Sequence, residues 1–285
     1  MHLRQLARLV LPRPARNWIV SPRKSARWAA ARLAARAGRS ERVSLRPGWS
    51  FTAHPGATAF GYGQQIHDLD QEAELDAFID DCTDGMVLFD IGAHFGVFGL
   101  AAIHHATGSR VIAVDPSPLA VFMLRDLARR NGYVDRLTVV HAAASSTSGV
   151  TPLLALGIIA AGYMRVPSSA DDLHDASLCE AVTIDSIVDR FGLPTHLKID
   201  VEGFEADVLA GAARTLAAPD APILYLEIHN DLLRHRSVAP SSILHTLHES
   251  GYLHVRRVDA GPEGRVDLLS GSISRIRASK PTATS

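Results

Sequence analysis

Five ionisable residues stand inside two short apolar segments in the second half of the sequence. Lys198, Asp200 and Glu202 alternate with Ile199 and Val201 in Leu197-Lys-Ile-Asp-Val-Glu-Gly203. Glu227 and His229 flank Ile228 at the end of Ile223-Leu-Tyr-Leu-Glu-Ile-His229. While a strand persists, its period of two puts Lys198, Asp200 and Glu202 on one face and Ile199 and Val201 on the other. Central strands of a parallel sheet are normally apolar on both faces, so charges there are costly unless they meet a ligand or each other. A carboxylate or imidazole so placed suits general-base work on a hydroxyl. No metal is required by the spacing, although the oxygen-rich set of Asp200, Glu227 and His229 would suit Mg²⁺ or Ca²⁺. The purely structural alternative is an internal salt bridge, Lys198 with Glu202 or Glu227. Glu205 and Asp207 open the next helix, where acids suit the dipole and need no further role.

A second set lies upstream. Val87-Leu-Phe-Asp90 reads as a buried strand ending on a carboxylate. Gly92 and Gly96 then turn the chain into an apolar helix, Val97 to His105. A dinucleotide fingerprint needs glycines at i, i+2 and i+5. Here they stand at 92, 96 and 99, and the i+2 position is His94. A Walker-type Gly-Lys-Ser/Thr ending is absent as well. Asp-x-Gly-x-x-x-Gly instead suits a cofactor without a pyrophosphate, of which S-adenosylmethionine is the common case. The second strand, Arg110 to Val114, ends in Asp115, about twenty residues past the turn, where an acid can accept both ribose hydroxyls. The third strand ends at His141 and Ala142, where an adenine could be approached, although an ordinary strand end is an equal reading. His104 and His105, and His245 and His248, sit in helices without an accompanying Glu motif and read as surface or core residues.

These residues need a scaffold of strands alternating with helices, a largely parallel, doubly wound α/β sheet whose carboxyl ends form the crevice. The expected elements are a helix over 70–81, the strand and helix of the glycine turn, and a helix from Pro118 to Arg130 ended by Asn131-Gly132. Further on come a helix over 183–190, a strand over 197–201, a helix over 205–217 and a strand over 223–228. A helix over 241–250 and a closing strand over 253–258 complete the set, with 265–277 returning as a hairpin. Residues 43–84 read as a small β-rich lead-in and helix, 85–278 as the main domain and 279–285 as a tail. Residues 145–181 read as a long irregular lid or binding loop with an apolar run, Leu153 to Ala161.

Residues 1–42 are a basic extension. The first forty hold nine Arg, one Lys and no acid, which leaves 19 basic against 30 acidic side chains in the remainder. Such a leader suits a solvated lead-in, weak contact with an anionic membrane surface, or a transit peptide. Nothing in it reads a base, so no specific nucleic-acid partner is expected. Cys82 and Cys179 offer neither metal spacing nor a disulfide framework. The longest apolar run is about half of a membrane span, and no secretory h-region is evident. A cytoplasmic setting is expected.

In Phe89-Asp-Ile-Gly-Ala-His-Phe-Gly96, Val114-Asp-Pro-Ser-Pro118, Val182-Thr-Ile-Asp-Ser-Ile187, Leu197-Lys-Ile-Asp-Val-Glu-Gly-Phe-Glu205 and Leu226-Glu-Ile-His229 the chain resembles the FkbM-type S-adenosylmethionine-dependent methyltransferases. The resemblance implies a seven-stranded class I methyltransferase sheet and methyl transfer to a hydroxyl, often on a sugar or polyketide-like product. It implies Asp90, Gly92, Ala93 and Gly96 around the methionine part and Asp115 on the ribose. Position 115 is often Glu and position 94 often Asn in that family, which leaves the contact of His94 open. Asp200, Glu202, Glu227 and His229 would then frame a small-molecule or glycan acceptor, with His229 or Asp200 as base and Lys198 holding a carboxylate or the acceptor oxygen. Two other classes stay open: an NAD(P)-dependent oxidoreductase, and a non-catalytic docking domain on the same fold.

Overall fold

The computed structural model describes residues 22–57, 69–155, 164–165, 177–259 and 267–281. Its centre is a seven-stranded sheet built from β3 (Val87–Ile91), β4 (Arg110–Asp115), β5 (Leu137–His141), β10 (His196–Ile199), β11 (Ile223–His229), β12 (His254–Arg257) and β13 (Ile273–Ser279). Numbered in chain order, the strands run β12-β13-β11-β10-β3-β4-β5 across the sheet. β13 alone runs against the direction of the other six. This is the class I methyltransferase arrangement that the sequence implies. Chain order reverses direction between β3 and β10, and ligands of open α/β sheets bind at such a switch point.

The two faces of the sheet differ. On one, Phe89, Ile91, Ile112, Val114, Leu197, Ile199, Leu224, Leu226, Ile228 and Ile276 pack into one core. It is closed by α5 (Ile184–Phe191), α6 (Glu205–Ala210), α7 (Ala213–Ala217) and α9 (Ser241–Glu249). The other face holds Leu88, Val111, Ala113 and Tyr225 beneath α2 (Leu69–Asp80), α3 (Val97–His105) and α4 (Pro118–Arg130). Register places Asp90 beside Lys198, Lys198 beside Tyr225, and Glu227 beside Arg275. The alternation of charged and apolar residues therefore sorts charge to one face, as the period of two requires.

The lead-in is a hairpin, β1 (Glu41–Arg46) with β2 (Trp49–Ala53). Val43, Leu45, Trp49 and Phe51 join the core of the second face. Trp49 stacks on His104 with ring centroids 5.4 Å apart. The Asn131 amide, which ends α4, accepts from the Thr52 N–H at 2.8 Å and donates to its carbonyl at 2.7 Å. The basic extension contributes α1 (Pro22–Arg36). Its first twenty-one residues lie outside the described residues, as do 58–68 of the lead-in and 282–285 of the tail. No helix among the described residues is long and apolar enough to cross a membrane.

Four boundaries depart from expectation. Residues 145–181 are not one irregular loop. Their described parts form β7 (Gly149–Ala155), β8 (Met164–Arg165) and β9 (Ser177–Val182), a small sheet with β6 (Ala143–Ala144). The rest, including Asp171-Asp172, lies outside the described residues. The helix over 205–217 is two, α6 and α7, parted at Gly211, where a side chain would collide with the Ser145 carbonyl. The strand over 197–201 stops at Ile199 because Glu202 and Gly203 turn with positive φ, 52° and 90°. A short helix, α8 (Asn230–His235), follows β11 directly.

Candidate active site

The glycine turn is built by close approach. Gly92 has φ 77°, and its N–H and that of Ala93 donate to the Val114 carbonyl at 2.9 and 3.1 Å. A Cβ at Gly92 would run into the backbone carbonyl of Asp200, and the left-handed φ excludes ordinary side chains in addition. Gly96, φ 75°, begins α3 beneath Leu124. His94 itself has φ 48°, uncommon for a residue with a side chain.

Asp115 closes this half. Its two oxygens accept from the backbone N–H groups of His94 at 2.8 Å and Ser117 at 2.7 Å. Burial pushes its carboxyl up to about 7 against the pull of those two donors. A carboxylate so short of donors fits the two hydroxyls of a ribose, which would supply them. Asp90 accepts the Gly99 N–H at 3.2 Å, and burial raises it to about 6, with Lys198 opposing. Burial lowers His94 to about 4, so its ring, stacked on Phe95 at 3.9 Å, is neutral at physiological pH. A neutral ring there is compatible with a cationic sulfonium; an imidazolium would repel it. Ala142 is fully buried in the core. His141 is exposed and its Nε2 lies 3.0 Å from the Pro116 carbonyl. A buried acceptor at Asp115 and a turn at 92–96 without room for side chains at its glycines are compatible with S-adenosylmethionine.

The second set divides by depth. Lys198 is 1 % exposed and donates to Glu74 of α2 at 2.8 Å, with Glu227 at 3.8 Å. Burial alone would lower its ammonium, but the charges of Glu74, Asp200 and Glu227 more than reverse this and hold it protonated. Arg275 of β13 donates to Glu227 at 2.8 Å and lies 3.6 Å from Glu74. Lys198 thus belongs to an internal charge cluster and does not reach the crevice. Glu74 and Arg275 escaped the sequence reading. The available signals were an acid beside Leu75 on the buried side of α2 and an arginine between Ile273 and Ile276 in a strand.

Nearer the surface, His229 is enclosed by carboxylates. Its Nδ1 lies 2.8 Å from Glu205, which is wholly buried and also accepts the Gly203 N–H at 2.9 Å. Glu205, expected only to suit a helix dipole, is thus part of the site. The His229 Nε2 faces Glu202 at 3.3 Å, Glu227 at 3.8 Å and Asp200 at 3.9 Å. Burial would lower this ring, but the Glu205 hydrogen bond and the charges of Asp200 and Glu202 lift it to about 9. Burial and Glu227 raise Asp200, although a third of its side chain meets solvent and tempers the effect. The side chains of Asp200 and Glu202 are 34 % and 29 % exposed, those of His229 and Glu227 only 6 % and 7 %. The first two are the faces a ligand can touch. Arg236 fixes the turn that carries Glu202, bonding the Gly203 carbonyl and Asp207 and lying 3.8 Å over the Phe204 ring.

Among solved structures, the precorrin-6Y C5,15-methyltransferase of Geobacter metallireducens is 16% identical, covering 73% of this chain and 87% of that chain with a TM-score of 0.44. The C-terminal domain of the Rhodobacter capsulatus enzyme of that name is also 16% identical, over 83% of this chain and 96% of that chain, TM-score 0.45. A SAM-dependent methyltransferase from Agrobacterium tumefaciens is 14% identical, over 85% and 70%, TM-score 0.44. Likenesses of this order bear on nothing finer than the fold. No curated protein matches the sequence. The model of the methyltransferase FkbM domain matches residues 90–253, more than half of the chain and all of the motifs above except Phe89, so the protein belongs to the FkbM methyltransferase family.

Proposed function

We propose that the protein transfers a methyl group from S-adenosylmethionine to a hydroxyl of a sugar-like or secondary-metabolite-like acceptor. The observation that carries this reading is a juxtaposition. The glycine turn of the cofactor half packs against the Asp200 backbone, and on this reading the partly exposed carboxylates of Asp200 and Glu202 flank the place where a cofactor's methyl would point. Bound S-adenosylmethionine would supply an electrophilic methyl on a sulfonium.

The residues of this chain do the rest. Asp200 and Glu202, as the accessible groups, hold the acceptor hydroxyl in line and take or share its proton. His229 and Glu227 back them from beneath, and Lys198 fixes the cluster through Glu74. Alignment of two reactants can supply much of the acceleration, and a positioned base adds about 10²–10⁴-fold. Carboxylates at the opening favour a neutral, hydroxyl-rich acceptor over a phosphate-bearing one.

The test is a thermal melt with S-adenosylhomocysteine, with NAD⁺ alongside. Ligand at a hundredfold its dissociation constant adds about 2.7 kcal/mol, a rise of roughly 5–10 °C for a domain of this size. A shift with NAD⁺ and none with S-adenosylhomocysteine would sink the reading. Asp200→Asn should then lower turnover by about 10²–10⁴-fold while cofactor affinity stays within a few-fold. Full retained activity would remove Asp200 from the mechanism.

A further inference from the structure

We infer that His229, Asp200 and Glu227 form a divalent-cation site that holds and polarises the acceptor oxygen, an inference resting on the methyl-transfer reading above. One ligand atom from each of the three lies within 4.8 Å of the other two. The His229 Nε2 stands 3.9 Å from Asp200 and 3.8 Å from Glu227. Those separations are beyond hydrogen-bond reach. They are the spacings of ligands that share one ion, since metal–nitrogen and metal–oxygen bonds of about 2.0–2.3 Å open at wide angles give about 3–4.5 Å between donors.

A second observation points the same way. Glu205 is wholly buried. One of its oxygens lies 2.8 Å from the His229 Nδ1, and its other oxygen has no hydrogen-bond partner among the described residues. A carboxylate behind an imidazole holds the Nδ1–H, so that Nε2 ligates once a cation displaces its proton, the arrangement usual for histidines on metals. The Glu202 carboxylate stands at the rim of this set, 3.3 Å from Nε2.

The set also has an open side. His229 and Glu227 form its buried floor, while Asp200 and Glu202 keep about a third of their side chains exposed. Catalytic metal sites leave such a position for substrate or water. Two carboxylates with one imidazole and no thiolate suit the harder cations, Mg²⁺ and Mn²⁺, more than a soft-ligand metal. An acceptor hydroxyl entering that position would be oriented and made more acidic. Arg275 donates to the same Glu227 oxygen that faces His229, and Lys198 lies 3.8 Å from the other, so a bound cation would share Glu227 with both.

The experiment titrates Mn²⁺ into full-length protein that has been stripped with chelator, followed by electron paramagnetic resonance and by calorimetry, with and without S-adenosylhomocysteine. One saturable site is expected, tighter than about 1 mM. Glu205→Gln should weaken it by about 10–100-fold with S-adenosylhomocysteine affinity within a few-fold of the parent. His229→Gln should weaken it at least as much. If that variant does not fold, Asp200→Asn at the exposed rim serves in its place. Absence of saturable Mn²⁺ and Mg²⁺ binding in protein whose melt responds to S-adenosylhomocysteine overturns the inference, as does binding that these variants leave unchanged. A cation site lost in the variants, in protein that ignores S-adenosylhomocysteine, would keep the metal and remove the methyl-transfer reading.

Discussion

The two halves of the sheet solve the same problem differently. In β3 and β4 the acids come at the strand ends, and each is met by its own chain: Asp90 by the Gly99 N–H, Asp115 by those of His94 and Ser117. In β10 and β11 the charges stand within the strands and are met from a distance: Lys198 by Glu74, Glu227 by Arg275, His229 by Glu205. The first half is a local device of one turn, complete apart from donors that a nucleoside can bring. The second is assembled from α2, β10, β11, α6 and β13 together, and comes apart if any of them is displaced.

The contrast breaks most visibly at Lys198. Lys198→Ala takes the hydrogen-bonded cation from buried Glu74, leaving it only the Arg275 guanidinium at 3.6 Å, and should destabilise the fold by about 3–5 kcal/mol, read by chemical denaturation. Loss below about 1 kcal/mol would mean that the cluster is not closed as described. Gly92→Ala comes next. A left-handed φ and a collision with the Asp200 backbone should together cost about 2–4 kcal/mol and disturb both halves at once.

Asp115→Asn tests the local half and should weaken S-adenosylhomocysteine by roughly 10–100-fold, the range of about 1.5–3 kcal/mol for hydrogen bonds to a charged group. In the parent, binding should tighten as pH rises toward about 7 and then level off, because ribose hydroxyls need the ionised carboxylate. The sign for unliganded protein is opposite. A carboxyl raised above its unfolded value contributes stability at low pH that is lost as pH climbs toward 7. Calorimetry in two buffers across pH 5–8 reads the first trend, and Asp115→Asn should flatten it. At the small end, Arg214→Ala removes exposed bridges to Asp185 and Asp189 and should leave the melt unmoved.

What could be read from sequence follows the same division. The turn from Val87 to Gly99 and the helix Val97 to His105 were legible because strand, glycines and helix are contiguous, and the structure keeps their bounds. The alternation in β10 and β11 told which residues share a face, since period two is a local property. Partners were not legible. Glu74 lies 124 residues from Lys198, and nothing in spacing joins them. The break at Gly211 depends on where the chain near Ser145 passes, and the end of β10 on the backbone of Glu202. The small sheet of β6 to β9 was missed because β6 and β8 hold two residues each, and β7 carries Pro152, a residue that argues against a strand interior.

Strand β13 is the last of the sheet to be synthesised, yet it lies between β11 and β12. On the ribosome, β12 therefore emerges before β13, the strand it pairs with, and β11 waits with an open edge beside Leu224, Leu226 and Ile228. The core around the hairpin, by contrast, draws its buried residues from 43–137 together with Tyr225, and most of it can condense while the rest is still being made. The nascent protein should accordingly pass through a state whose first half is folded and whose second half offers an unpaired apolar edge. For such a chain the dangerous interval in biogenesis is the short stretch of translation between residues 229 and 279.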